Sequence, residues 1–221
     1  MHQTALTSTR SAAGDAQPLG TAAPPGGLAM YLILDTETTG LPRNWNAPAS
    51  DLGNWPRAVQ IAWVRYDKTD QHVESTSCIV RPEGFTVPLD AQRVHGISTD
   101  RALKEGKPLQ DVLRELSAAV EKAQTVIAHN MNFDANVLAA EYLRLGLTPP
   151  FHHKRLVCTM TDSRDFCRLP GPYGHKWPTL PELHRVLFQS DYVETHEAGA
   201  DAAACAKCFF ELMRRGVVAV R

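Results

Sequence analysis

Long apolar runs are missing from this sequence. No stretch approaches the roughly 20 residues that a membrane-spanning helix needs. An excess of one charge is missing too: 23 Lys and Arg stand against 24 Asp and Glu, a formal net charge of −1. No global field draws the chain to nucleic acid or to an acidic membrane. A polyanionic partner must be held by local patches or by metal ions. Cysteines are few and unpatterned. The five of them, Cys78, Cys158, Cys167, Cys205 and Cys208, are odd in number and follow no signal peptide. That favours free thiols in a reducing, cytoplasmic compartment. Cys205 and Cys208 have the spacing of zinc ligands, but they fall in an apolar helical pattern with no second Cys or His pair near in sequence. Core packing is the preferred reading there. Internal repeats are absent as well.

What is present is a chain of 221 residues, 43% hydrophobic, enough for a sizeable core. Residues 1–29 are Ala, Gly, Thr, Ser and Pro with almost no large apolar group. Such a segment cannot bury enough surface to offset its ordering entropy. It reads as a disordered tail ahead of one domain at 30–221. A transit peptide is a rival reading, weakened because Arg10 is the only arginine there, and a start at Met30 is another.

Residues 31–40 read Y-L-I-L-D-T-E-T-T-G. Four apolar residues, Tyr31 to Leu34, predict a buried strand. Side chains two apart on a strand point the same way, so Asp35 and Glu37 project together from its end. Paired carboxylates repel unless a cation sits between them. A charged strand end fraying into a loop is the plainer reading of D-x-E alone.

The 41–57 segment carries Pro42, Pro48 and Pro56, which exclude a regular helix or central strand. It is a long loop with two tryptophans, Trp45 and Trp55. Each is expected to bury, against the protein's own surface or against a base of a threaded strand. Residues 58–66 and 72–81 form a predicted antiparallel hairpin. Residues 88–96 are a helical turn or loop closing on Val94-His95-Gly96-Ile97. A helix follows at 108–123, with Leu109, Val112, Leu113, Leu116 and Val120 on one face. A strand at 125–128 ends in His129-Asn130-Met131-Asn132-Phe133-Asp134, and 137–145 continues as a helix stopped by Gly146. A strand at 156–160 comes next. Thr179 and Glu182 then make a capping box, and a last helix spans about 200–215. Asp201 falls in that helix's first turn and His196 just before it. Antiparallel strands followed by αβ units predict a mixed sheet flanked by helices.

Three separated pieces then fit one pattern: Asp35-Thr36-Glu37-Thr38-Thr39-Gly40, His129 to Leu138, and His196-Glu197-Ala198-Gly199-Ala200-Asp201 with its H-x4-D spacing. Together with the Val94–Ile97 element they resemble the DEDDh 3′–5′ exonucleases, the DnaQ-like family of the DNA polymerase III proofreading subunit and ribonuclease T. The resemblance covers roughly residues 30–217. It implies an α/β fold of ribonuclease H-like type, a mixed five-stranded sheet flanked by helices. It implies two divalent cations, Mg²⁺ or Mn²⁺, held by Asp35, Glu37, Asp134 and Asp201. Asp35 would bridge both, Glu37 and Asp201 complete the first site, and Asp134 holds the second. His196 would be the general base. An N-cap role for Asp134 is compatible with this.

Thr38, Thr39, Gly40, His95, Asn130 and Phe133 are the substrate-binding candidates. An ordinary turn competes for the first three, a packed loop histidine for His95, a strand end for Asn130 and core packing for Phe133. The 151–177 stretch interleaves basic residues (Lys154, Arg155, Arg164, Arg168, Lys176) with Phe151, Phe166, Tyr173 and Trp177. That composition suits a single-stranded 3′ end, or a solvated surface with aromatic anchors. The expected reaction is hydrolysis from the 3′ end of single-stranded or frayed DNA, releasing nucleoside 5′-monophosphates. An exoribonuclease and a non-catalytic binding module on the same fold are the alternatives. A DNA polymerase or repair complex is a candidate partner. The 41–57 loop is longer than in compact family members, and the chain stops at Arg221 soon after the last helix. Both features are expected to set it apart from a tightly tethered polymerase subunit.

Overall fold

The computed structural model describes residues 30–219; the 1–29 tail lies outside them. Five strands make one sheet in the order β3-β2-β1-β4-β5. β1 (Met30–Thr38), β2 (Ala58–Asp67) and β3 (His72–Ile79) are antiparallel neighbours. β4 (Thr125–Ala128) and β5 (Arg155–Cys158) add parallel to β1. The short β4 and β5 each need a crossover helix, which the intervening sequence supplies.

β1 is central and buries both faces, and alternation along it divides the molecule. Leu32 and Leu34 pack with α3 (Leu109–Lys122) and α4 (Met131–Arg144). Tyr31 and Ile33 pack with α7 (Leu180–Phe188) and α8 (Ala198–Arg214), against Leu183, Cys208 and Phe209. Cys205 and Cys208 are buried there as apolar groups. β2 is covered on both faces as well, so its inner and outer residues are alike buried. The 3.6-residue spacing of α3 puts Leu109, Val112, Leu113, Leu116 and Val120 at or near zero exposure. Each buried leucine contributes roughly 1.5–3 kcal/mol.

Two short helices, α1 (Leu89–His95) and α2 (Thr99–Glu105), close over the β2 end through Ala91, Ile97 and Ala102. α1 ends at Gly96, whose φ of 73° is the left-handed turn glycine tolerates best. α5 (Thr159–Asp162), α6 (Arg164–Cys167) and a two-strand ribbon, β6 (Pro170–Gly171) with β7 (Gly174–His175), fill the path to α7. Thr179 and Glu182 form the capping box of α7.

Two boundary shifts bear on the site. α4 begins at Met131, six residues earlier than the apolar pattern suggested, so Asp134 lies inside the first turn and Asn130 holds the N-cap position. β5 ends at Cys158, because Thr159 starts α5.

The 41–57 loop is bolted to α4. Glu141 is buried and accepts from the Ala58 backbone N–H at 2.8 Å and from Arg57 Nε at 2.9 Å. Arg144 Nη2 donates to the carbonyls of Leu52 and Trp55 at 2.9 and 2.7 Å. Trp55 is buried, with its Nε1 donating to the Pro48 carbonyl; Trp45 is 43% exposed. Trp55 therefore buries against the protein's own surface, while Trp45 stands partly exposed beside the Phe133 ring.

Candidate active site

Asp35 and Glu37 continue the Tyr31–Ile33 face of β1, toward α8. Asp201 reaches the same place from the first turn of α8. One ligand atom each from Glu37, His196 and Asp201 lies within 4.8 Å of the others. Thr36 points to the opposite face, where its Oγ1 donates to Asp134 Oδ1 at 2.8 Å. α4 thereby delivers Asp134 to the same strand end.

Crowding of these acids leaves its mark on their protonation. Burial raises Asp35 well above the usual carboxylate range, and repulsion from Asp134, Glu37, Asp201 and Glu194 adds to it. Burial, then Asp201 and Asp134, pushes Glu37 up to about 8. Asp134 rises to about 7 through burial, opposed by the Thr36 hydroxyl. Desolvation combined with like charge is the signature of a site built for something cationic.

Two residues of the loop before α8 belong to this group, although no motif names them. Tyr192 donates from Oη to Asp201 Oδ1 at 2.5 Å. Glu194 is half-buried, and its carboxyl is raised by burial and by Asp201. Tyr192, an aromatic side chain in the short run Ser190 to Thr195 before His196, was the available signal. His196 has φ 51°, in the left-handed region that few non-glycine residues adopt. Glu197 follows as the N-cap of α8: Oε2 accepts from Ala200 N, while Oε1 accepts from Gln60 Nε2 and Ser77 Oγ.

The substrate-binding candidates separate. Thr38, Gly40, Leu41, Val94, His95 and Phe133 line a cavity of about 300 Å³ beside Glu37. Gly40 has φ 147° and open space around it, so backbone can approach a ligand closely there. Thr38 Oγ1 donates to the Gly40 carbonyl at 2.6 Å, which fixes that turn. His95 is 9% exposed. Its Nδ1 accepts from Ile97 N at 3.1 Å, so the neutral ring carries its proton on Nε2. That N–H approaches the Thr38 backbone without a well-directed bond and has no partner among the described residues. Burial lowers the ring's pKa. Thr39 is used elsewhere, exchanging bonds with the Arg57 backbone at the root of the loop. Asn130 lies outside the 300 Å³ cavity, on a second cleft.

His129 orients the segment before α4. The Pro178 carbonyl can only accept, so Nε2 of His129 donates to it and Nδ1 accepts from Thr159. Burial lowers this ring to about 4 and keeps it neutral. The basic 151–177 stretch is partly spoken for by the protein itself. Lys154 donates to the Glu121 and Ala123 carbonyls, Arg155 to that of Ala219, and Lys176 pairs with Glu182.

The exonuclease family described as RNase T matches residues 32–209 of the chain. DNA polymerase III PolC-type of Caldanaerobacter subterraneus is 25% identical over 187 residues, 84% of this chain and 12% of that protein. The PolC-type enzyme of Streptococcus sanguinis is 28% identical over 182 residues, 82% and 11% respectively. The chain thus spans about an eighth of the length of these curated relatives. Among solved structures, E. coli exonuclease I in complex with a dA16 oligonucleotide has a TM-score of 0.65 at 18% identity. The match covers 84% of this chain and 41% of that one. The sheet order, with helices on both faces, is the ribonuclease H-like arrangement. No helix among the described residues is long and apolar enough to cross a membrane. With the family match spanning most of its length, the chain belongs to the RNase T exonuclease family, in its DEDDh class of 3′–5′ exonucleases.

Proposed function

We propose that residues 30–221 form one catalytic domain that removes nucleotides from the 3′ end of single-stranded or frayed DNA and releases nucleoside 5′-monophosphates. The observation that carries this reading is the convergence of Glu37, His196 and Asp201 within 4.8 Å, with both carboxylates repelling Asp35, beside a cavity of about 300 Å³.

The donor set fits Mg²⁺ or Mn²⁺. Carboxylate oxygens suit hard cations, and the burial and like-charge repulsion that lift Asp35 and Glu37 are what divalent charge offsets. Two such cations supply stabilisation of the attacking and leaving oxygens. Asp35, Glu37 and Asp201 would hold one cation, and Asp134, with Asp35, would hold the other. His196 takes the proton of the attacking water. Tyr192 occupies one oxygen of Asp201 and fixes its rotamer. The Nε2–H of His95, Thr38, the open backbone at Gly40 and the Phe133 ring hold the terminal nucleotide.

DNA is favoured over RNA by the company the chain keeps: DNA polymerase III relatives, and a shared fold with an exonuclease captured on dA16. A DNA polymerase or repair complex is the partner class this suggests. Five free thiols support a reducing, cytoplasmic setting.

The test uses 5′- and 3′-labelled single-stranded DNA and RNA, with and without Mg²⁺ or Mn²⁺. A ladder from the 5′-labelled strand, metal-dependent and free of internal cuts, is expected. Internal cleavage, or none with either metal, overturns the reading. Faster laddering of RNA moves the assignment to RNA trimming.

A further inference from the structure

Trp45 and Trp177 stand on the wall of a second cleft, of about 790 Å³, that also touches Asn130, Asn132, Asn136 and Met160. The metal chemistry uses none of it. Both indoles are exposed, by 43% and 57%. Trp45 is not what anchors its loop, since buried Trp55 and the Glu141 and Arg144 bonds already do so. Yet its position is fixed. The neighbouring Asn44 donates its backbone N–H to Asn54 Oδ1 at 2.7 Å, and Asn54 Nδ2 returns a bond to the Asn44 carbonyl at 3.0 Å. A rigidly held, exposed aromatic face on a concave wall is preorganised for stacking.

The rest of the lining narrows the ligand. No charged side chain lines this cleft, so it does not select a phosphate. The side chain of Asn130, at φ 81°, caps nothing. Asn136 Nδ2 donates to Asn132 Oδ1 at 3.1 Å, which leaves Asn132 Nδ2 and Asn136 Oδ1 for a ligand. Neutral amide donors and acceptors between flat aromatic walls match a nucleobase edge and its π-face.

This cleft adjoins the metal-side cavity through one aromatic pair. Phe133 lines that cavity, and its ring centroid lies 5.8 Å from that of Trp45. We propose that the cleft receives a second base of the substrate strand, on the 5′ side of the terminal nucleotide, stacked against Trp45 and Trp177. This rests on the exonuclease reading, which places the 3′ terminus in the cavity beside Glu37.

The test measures binding of 5′-fluorescein oligodeoxynucleotides by anisotropy, with Ca²⁺ replacing the catalytic metal. An abasic residue is placed at each position in turn from the 3′ end. For the wild type, affinity should fall roughly 5- to 150-fold at one interior position. Trp45→Ala and Trp177→Ala should lose a similar factor on the intact strand and no longer respond to the abasic site there. Trp45→Phe and Trp177→Phe should restore most of it, and binding of a nucleoside 5′-monophosphate should be unchanged throughout. Both indoles are exposed, and melting curves that match the wild type are the control that the alanine variants fold. Intact-strand affinity equal to wild type in both alanine variants overturns the proposal, as does an abasic penalty that persists in them. Laddered hydrolysis without any interior abasic penalty removes this subsite alone. Absence of hydrolysis with Mg²⁺ and Mn²⁺ removes the exonuclease reading, whatever the anisotropy shows.

Discussion

Gln60 and Glu197 meet across 137 positions of sequence: Gln60 Nε2 donates to Glu197 Oε1 at 2.7 Å. Gln60 Oε1 also accepts from the Ala198 backbone N–H at 3.1 Å. In the β1–β2 register Gln60 is the partner of Glu37. One amide on β2 therefore holds the residue after His196 beside the strand that carries the acids. Gln60→Ala should lower kcat by roughly 10- to 100-fold with KM nearly unchanged, the pattern of a misplaced proton acceptor. Gln60→Glu keeps the length but loses the donor, so it should not rescue. A kcat within twofold of wild type for Gln60→Ala would show that His196 is held by other means.

The metal-free protein should become less stable as pH rises. Asp35, Glu37 and Asp134 have folded pKa values raised above their unfolded ones, to about 8 for Glu37 and about 7 for Asp134. Between about pH 4 and 8 the native state then binds more protons than the unfolded chain, and stability falls through that window. His129 works the other way: its folded value is lowered to about 4, so its contribution falls as pH drops from about 6.5 toward 4. Three acids outweigh it above pH 6.5. Added Mg²⁺ or Mn²⁺ should raise Tm more at pH 8 than at pH 5.5, because protons compete for the same oxygens. Equal metal shifts at both pH values would contradict this.

Asp35→Ala should abolish metal-dependent hydrolysis and raise the Tm of the metal-free protein, since the shared source of repulsion is gone. His196→Ala should cost orders of magnitude in kcat while the metal-induced rise in Tm persists. His196 lies within 4.8 Å of carboxylate oxygens of Glu37 and Asp201, so the pair of measurements separates two roles. Loss of the metal-induced shift in His196→Ala would make the histidine a ligand rather than the base.

Much of the frame was legible because local signals agreed with the fold. Alternation on β1 set Asp35 and Glu37 on one side, the apolar spacing of α3 gave its buried stripe, and Thr179 with Glu182 marked the start of α7. The first turn of α4 was hidden because Asn132 and Asn136 face a cleft and Asp134 faces the acids, which breaks the apolar period. α2 buries only Ala102 and so has no stripe to read. Tyr192 and Glu194 come to the acids through an irregular loop, where side-chain direction follows no period. Thr39 sat beside its motif neighbours in sequence, but the turn at Thr38 and Gly40 directs it to Arg57 instead.

Glu141 carries the last prediction. Its side chain is 1% exposed, and it meets Arg57 Nε at 2.9 Å, Arg144 Nη1 at 3.2 Å and the Ala58 N–H at 2.8 Å. Breaking a buried ion pair from one side leaves the partner charge uncompensated and costs roughly 3–5 kcal/mol. Here the Arg57 guanidinium and a backbone N–H lose their acceptor, and Arg144 loses its counter-charge. Glu141→Ala should therefore lower Tm by on the order of 10 °C for a domain of this size. The same carboxylate holds the root of the 41–57 loop, so the loss should reach substrate binding as well. Trp45 would no longer stand at a fixed place on the cleft wall, and KM for single strands should rise in Glu141→Ala even well below its melting temperature. Glu141→Gln keeps the Ala58 bond and should fall between the two. Arg57 also stacks on the Phe85 ring at 4.2 Å, so Arg57→Ala is expected to lose stability with a smaller change in KM, because Arg144 still grips the loop at Leu52 and Trp55. A Glu141→Ala protein that melts like the wild type would mean that the buried carboxylate is dispensable and that Arg144 alone fixes the loop.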